Sequence, residues 1–329
     1  MDAVRLEPVA ASLNRGCVMA MRIADHVCSA VFNCAEEGSL VRLSVIIPCY
    51  NAATTIAGQL DALTGQRWSH QWEVIVVNNH STDGSMEVVE RYRTRLPQLR
   101  IVDAFARRSR PHALNVGAAA AAGESLAFCD ADDEMGEEWV AAIGDALLKH
   151  DFVASRFDAQ KLNAAWVQRV RGPGQTADVP RIWYPPYLSY AGCCGLGVKR
   201  ELHERVGGFD ECLHYVQEVD YCFKLQREGV QLQFVPEALI HVRLRDTVSG
   251  IFHQARHWAE YNVAVYKKYQ ASTDVRMPEP WERYLVECTQ LVRRLRRVRS
   301  KAALAAYAWH LGWQVGRLKG SLKFRSHPV

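Results

Sequence analysis

Three carboxylates stand within four residues at Asp130-Ala131-Asp132-Asp133, directly behind the apolar run Ser125 to Cys129. Like charges this close repel one another unless a cation or hydrogen bonds compensate. A hard divalent ion, Mg²⁺ or Mn²⁺, is held by a few protein carboxylates and fills its shell with substrate phosphates. It would neutralise the charge that develops on a departing diphosphate. The competing reading is a solvated acidic turn ahead of a helix that starts near Glu137. Taken alone, an Asp-x-Asp favours that plainer reading.

Two further polar clusters follow apolar runs in the same manner. Pro48-Cys49-Tyr50-Asn51 follows Val41 to Ile47, and Asn78-Asn79-His80-Ser81-Thr82-Asp83-Gly84 follows Trp72 to Val77. The runs read as strands, the first stopped by Pro48, with others over 99–104, 125–129, 151–154 and 231–235, the last extending to Ile240. Between them 52–63, 86–96, 113–122, 139–149 and 218–228 have helical spacing. Strands alternating with helices at this interval predict parallel βαβ units in a doubly wound α/β sheet. Near-continuous apolar runs fit strands covered on both faces. Ligands bind outside the carboxyl ends of such strands, so the three clusters should meet at one crevice. Residues 251–269 and 281–322 are long helical patterns.

Six segments in order resemble the family 2 glycosyltransferases, which have a Rossmann-like GT-A fold. They are Val45-Ile-Ile-Pro-Cys-Tyr-Asn51, Val76-Val-Asn-Asn-His-Ser-Thr-Asp-Gly-Ser85, Ala113-Leu-Asn-Val-Gly117, Leu126-Ala-Phe-Cys-Asp-Ala-Asp-Asp133, Gly207-Gly-Phe-Asp-Glu211 and Gln217-Glu-Val-Asp-Tyr-Cys222. The resemblance spans about Leu43 to Asp246. It divides the chain into an N-terminal extension (1–41), a GT-A domain (42–246) and a helical C-terminal region with a basic tail (247–329).

The resemblance implies roles. Pro48, Tyr50 and Asn51 would line the donor side, with Tyr50 stacked on the base and Asn79 bonded to its edge. The family often has Asp at position 78 and Asp or Asn at 79. Asp83 would touch the donor or, equally, orient its turn and cap the next helix. Asn115 and Gly117 would line the diphosphate pocket. The usual Arg before that Asn is Leu114 here, so Arg110 or Arg108 would supply the positive charge. Asp130 would hold the ribose and, with Asp132, the metal. His241 would complete the metal shell, against the plainer alternative of a packed or surface histidine.

The family pattern Glu-Asp-x-Asp reads Gln217-Glu218-Val219-Asp220 here. Glu218 falls on the general-base position and would take the acceptor hydroxyl proton, giving inversion. Asp220 is the rival, with bracing of the helix start as its alternative role. Tyr190 to Gly197 resembles an acceptor-side loop, with Gly192, Cys193 and Cys194 facing the acceptor. Trp183 would stack on a sugar or sit in the core.

The implied activity is metal-dependent sugar transfer from a UDP-, GDP- or dTDP-sugar to a glycan, lipid-linked or small-molecule acceptor. A nucleotidyltransferase would need a Gly-rich phosphate loop after the first strand, and Pro48-Cys-Tyr-Asn51 is not one. A nucleotide-binding module without turnover is the remaining alternative, kept open by Leu114 and Gln217.

Bulk properties agree with a globular protein. The chain has 329 residues, 49% of them hydrophobic, and a net charge of +4. That charge is uneven: from Leu291 onward there are ten Lys and Arg and no Asp or Glu. The tail reads as a helix packed on the domain with a solvated basic face, or as a helix lying on an anionic membrane. No recognition motif for nucleic acid accompanies the charge. The ten cysteines form no Cys-x-x-Cys pair. This usage fits a reducing, cytoplasmic setting, with peripheral contact at the inner membrane face under the second reading of the tail.

Overall fold

The computed structural model describes residues 40–270, 280–296 and 298–329. The expected N-terminal extension lies outside the described residues except for Leu40 and Val41, and Arg297 of the basic block lies outside them too.

The first half alternates as expected. β1 (Leu43–Cys49), β2 (Trp72–Asn78), β3 (Leu99–Asp103) and β4 (Ser125–Phe128) are separated by α1 (Ile56–Thr64), α2 (Ser85–Glu90) and α3 (Arg110–Ala120). β2, β3 and β4 join the sheet through parallel pairings. Pro48 does not stop β1. It lies inside the strand, opposite Val77. β4 ends opposite Ile46, and Ile46 accepts from Cys129 N on that side. Pro48 points the same way, past the end of β4, where the missing N–H leaves no ladder bond unmade. The helix expected over 86–96 is shorter, because the chain turns after Glu90.

The second half departs from a simple parallel pattern. It runs β5 (Glu134–Met135), α4 (Trp139–Lys149), β6 (Phe152–Asp158), α5 (Ala165–Gln168), β7 (Leu196–Lys199), α6 (Arg200–Arg205), α7 (Gln217–Arg227) and β8 (Gln233–His241). The eight strands are ordered β3-β2-β1-β4-β7-β6-β8-β5. β7 is antiparallel to both β4 and β6, and β5 is antiparallel to β8, whereas β6 and β8 are parallel. β7 escapes a sequence reading because it is four residues of LGVK inside what looks like a glycine-rich loop.

Alternate residues of each strand face opposite layers. Val45, Ile47, Val74 and Val76 pack with Leu60, Trp139 and Ile143. Ile46, Ile75, Val77 and Phe128 pack on the other face with Leu114, Leu202 and Tyr221. Burial on both faces is why these strands are unbroken apolar runs. A third cluster, with Tyr184, Val219, Phe223, Tyr261 and Val265, ties α7 to α8 (Val248–Gln270).

The pattern over 281–322 is two helices, α9 (Pro280–Leu295) and α10 (Lys301–Phe324), the latter capped by Ser300 accepting from Ala303 N at 3.1 Å. Gly312, Gly316 and Gly320 of α10 lie against Phe252, Arg256 and Glu260 of α8. A Cβ at any of the three would collide with a backbone carbonyl of α8. This spacing of small residues allows two helices to approach closely. It packs α10 onto the core through one face.

Candidate active site

The three polar clusters do meet at the carboxyl ends of β1, β2 and β4. The turn after β2 is built first. Asn78 donates to Asp103 Oδ1 at 3.0 Å and accepts from Ser81 N at 3.0 Å. Asn51, with φ of +50°, accepts from Thr82 N at 2.8 Å. Asp83 accepts from Ala53 N at 3.1 Å and from Ser85 N at 3.1 Å. Its side-chain bond to Ser85 leads the effects that hold its carboxyl below the ordinary aspartate value. Asp83 therefore engages the turn and the start of α2, the structural role expected as its alternative.

Tyr50 stands 45% exposed at the rim, a ring open to stacking. Arg108 donates to its hydroxyl at 3.1 Å and lies 5.3 Å from the ring centre. Asn79 is buried, and its Oδ1 accepts from Ser109 N at 3.4 Å, at the start of α3.

α3 carries the cation. Arg110 pairs with Asp130, just past β4. Burial disfavours the Arg110 charge, but Asp130, with Glu218 contributing, outweighs it and keeps the guanidinium charged. Of the two arginines expected to compensate for Leu114, Arg110 is the one paired to the acidic cluster.

Two residues expected along the diphosphate are occupied elsewhere. Asn115 donates to Phe209 O at 2.9 Å and to Glu211 Oε1 at 3.2 Å, and accepts from Phe209 N at 2.8 Å. Its amide clamps the Gly207–Glu211 turn instead of facing a ligand. Gly117 lies under the helix, where a Cβ would strike Ile46 and Val77. It seats α3 on the sheet. His112, which also reaches Glu211 at 3.0 Å, escaped the sequence reading.

The acidic cluster is under electrostatic load. Burial first, then repulsion by Asp130, raises the Asp132 carboxyl, while Arg245 and Arg110 oppose the rise. Asp133 is raised well above the ordinary value by burial and by both neighbouring aspartates. Its Oδ1 accepts from Arg243 N at 2.7 Å. Asp132 and His241, expected beside Asp130 as metal ligands, are not in the group whose candidate ligand atoms already lie together. Among the described residues, the one group of three candidate ligands with atoms within 4.8 Å of one another is Asp130, Asp133 and Cys194. His241 ends β8 and binds Asp158 Oδ2 through Nδ1 at 2.8 Å, which directs its ring toward β6. Asp133 was within the sequence motif but had no role assigned. Cys194 is a poor partner for a hard cation, because burial holds its thiol protonated.

The opposite wall is the start of α7. Val216, the residue before the helix, is left-handed at φ +51°. That conformation is uncommon for any residue but glycine and an outlier for a β-branched one. Glu218 is half-buried in the first turn. Burial raises its carboxyl, Arg110 opposes, and Asp130 adds to the rise. Glu218 thus lies within electrostatic reach of the Arg110–Asp130 pair. Asp220 is fully buried and turned the other way, onto Lys268 and Tyr269 of α8. Three buried polar atoms without a hydrogen-bond partner belong to residues of these walls: His80 Nε2, Ser109 Oγ and Gln217 Nε2.

The loop ahead of β7 closes this wall. Gly192 N donates to Gln175 Oε1 at 3.0 Å, and a Cβ there would meet the Phe157 ring. Gly195, at φ +80°, lies against Ser155, where no other residue fits. Cys193 is buried, packed on one side among apolar residues and within electrostatic reach of Arg110, Asp130 and Glu218. Tyr190, given no role from sequence, has its hydroxyl raised by burial and by the Glu218 charge. Trp183 turns to the C-terminal helices. It packs on Trp313 and lines a cavity of about 300 Å³ with Glu287, Trp309 and Arg317.

Residues 44–207 match the family model of Glycosyl transferase family 2. With a GT-A-type sheet and an Asp130–Asp133 cluster at its strand ends, the chain belongs to the family 2 glycosyltransferases. It is 34% identical over 131 residues to the uncharacterized glycosyltransferase YibD of Escherichia coli K12, covering 40% of this chain and 36% of that protein. It therefore spans about a third of that relative's length. Two solved structures share the fold. The mannosyltransferase PcManGT of Pyrobaculum calidifontis, in complex with GDP-Man and Mn²⁺, has a TM-score of 0.56 at 22% identity, over 86% of this chain and 87% of that one. S. aureus TarS 1-349, in complex with UDP-GlcNAc, has a TM-score of 0.50 at 17% identity, over 87% of this chain and 93% of that one.

Proposed function

We propose that this protein transfers a sugar from a nucleoside-diphosphate sugar to an acceptor hydroxyl with inversion, using Glu218 as general base. The observation that supports the reading is the position of Glu218 in the first turn of α7, within electrostatic reach of the Arg110–Asp130 pair. Tyr50 stacks on the base, Asn79 bonds to its edge, and Asp130 holds the ribose. Arg110 balances the diphosphate charge. Glu218 removes the acceptor proton as the hydroxyl oxygen forms a bond to the anomeric carbon. The bond from that carbon to the diphosphate oxygen breaks, and the nucleoside diphosphate leaves with the electron pair. Attack opposite the leaving group inverts the centre.

Asp130 and Asp132 are hard oxygen ligands whose mutual repulsion a cation would relieve, so they fit Mg²⁺ or Mn²⁺. When bound, such an ion would offset charge on the departing diphosphate. The neighbours crystallised with GDP-Man and with UDP-GlcNAc support a nucleotide-sugar donor. All seven described cysteines are free, which supports a reducing, cytoplasmic setting.

The test is a panel of UDP-, GDP- and dTDP-sugars, each with and without Mn²⁺ or Mg²⁺. A true donor raises the melting temperature, because it binds the native state alone, and is slowly hydrolysed. Stabilisation without hydrolysis or transfer to any acceptor would make the protein a binding module. No stabilisation by any donor would overturn the reading.

A further inference from the structure

α9 and α10 form an antiparallel hairpin. Tyr284 bonds to Gln314 O at 3.4 Å, Gln314 donates to Glu287 at 3.0 Å, and Arg294 meets His310. As the α9 number rises, the α10 number falls. These contacts fix the faces the helices turn to each other, and so what each turns outward.

On α9, Trp281, Leu285, Val292 and Leu295 are 42%, 59%, 70% and 55% exposed. Their spacing places them within one stripe on a helix of 3.6 residues per turn. The stripe lies a quarter-turn from the contact face made by Tyr284, Glu287 and Leu291. On α10, Leu304, Val315, Leu318 and Leu322 are 43%, 39%, 40% and 73% exposed. They too share one stripe, a quarter-turn from the α10 residues that meet α9. In an antiparallel pair these two offsets bring the stripes to the same side. The hairpin therefore carries one continuous apolar face. The glycines of α10 point elsewhere, into α8, so the core does not use it.

Charge identifies what the face meets. The tip of the hairpin carries exposed Arg293, Arg296 and Arg299, for which no carboxylate partner is found among the described residues. No acidic residue follows Leu291. A second copy laid on this face in the same sense would set arginine against arginine. An anionic surface complements it. No described helix is long and apolar enough to cross a membrane. An apolar face bordered by arginine is instead the composition of helices that lie in the plane of a headgroup layer.

We propose that the α9–α10 hairpin docks this protein on an anionic lipid surface, its apolar stripes entering the headgroup boundary and Arg293, Arg296 and Arg299 meeting lipid phosphates. The proposal stands independently of the catalytic reading. The test uses the full chain with phosphatidylcholine vesicles, with and without phosphatidylglycerol, in a sedimentation assay. Binding is expected only with phosphatidylglycerol and should fall as salt rises. Two exposed-residue variants are compared at equal folded content by circular dichroism. Arg293→Glu/Arg296→Glu/Arg299→Glu should abolish binding, and Leu285→Gln/Leu322→Gln should weaken it about tenfold or more. Absence of binding to phosphatidylglycerol vesicles would overturn the proposal. So would binding unchanged in both variants, or a dimer in light scattering that the leucine variant dissolves, since the face would then be an interface between copies.

Discussion

The Tyr269 hydroxyl donates to Asp220 Oδ1 at 2.9 Å, and Lys268 Nζ lies 2.8 Å from the same oxygen. Glu218, two residues earlier, lies on the other side of the same helical turn, within electrostatic reach of Arg110 and Asp130. Two neighbouring acids therefore have separate surroundings, one at α8 and one at the crevice.

That separation makes the first prediction. Glu218→Gln should cut sugar transfer by about 10²–10⁴ and leave donor affinity nearly unchanged. Asp220→Ala should instead lower stability by about 1–2 kcal/mol, because it removes the carboxylate bonds to Tyr269 and Lys268, while Lys268 keeps Asp210 and the Tyr269 hydroxyl keeps the backbone carbonyl of residue 220. Partial exposure of Lys268 will reduce that figure. Calorimetric donor binding, transfer at saturating donor and urea unfolding of both variants distinguish the roles. A dead Asp220→Ala enzyme of normal stability would reverse them.

The pH profile follows from the direction of the Glu218 shift. A base must be deprotonated to act, and burial raises this carboxyl. The acidic limb of kcat/KM should therefore lie above the ordinary glutamate value, activity falling as pH drops through it. Arg110 opposes the rise, so Arg110→Gln should move the limb to still higher pH. A limb that stays in place or moves lower would remove Arg110 from the surroundings of the base.

Cation binding should be proton-linked. Asp132 is raised by burial and by Asp130, so a bound cation competes with a proton there. Mn²⁺ affinity, measured by calorimetry without donor, should increase with pH over the range where Asp132 ionises. Asp132→Asn should weaken it at least tenfold, since loss of even an outer-shell partner costs about 10–100-fold. His241 bonds to Asp158 through Nδ1, which leaves Nε2 free for a cation, so His241→Ala should also weaken Mn²⁺ binding.

The helical packing offers a stability test free of chemistry. Gly316→Ala adds a methyl group that collides with Arg256 O and the Ala259 side chain. The gain in helix propensity is about 1 kcal/mol and the overpacking cost reaches about 3 kcal/mol, so net destabilisation is expected. The thermal midpoint should drop. Gly172→Ala, where a Cβ meets nothing within 4 Å, serves as the control.

The sequence by itself determined the βαβ half of the sheet, since strands buried on both faces must be apolar throughout and polar residues appear where they end. It also determined that the acids after β4 and the Asn-rich turn after β2 lie at one edge, because parallel strands put their carboxyl ends on the same side. Glu218 could be singled out through its motif alone.

Only the tertiary structure decided which of these polar groups remain available. Asn115 and Asp83 have side chains suited to a ligand, but neighbouring backbone distant in sequence claims them. Gly117 looks like a site residue until the layers are assembled, and then it is packing. Glu218 and Asp220 are told apart by helix geometry, which sends side chains two residues apart to different faces. β7 and the break between α9 and α10 were equally hidden. A four-residue strand exists only by pairing with β4 and β6, and the apolar pattern of α10 continues that of α9 across a short polar link. Local sequence fixes what a residue can do, whereas the partner that occupies it comes from elsewhere in the chain.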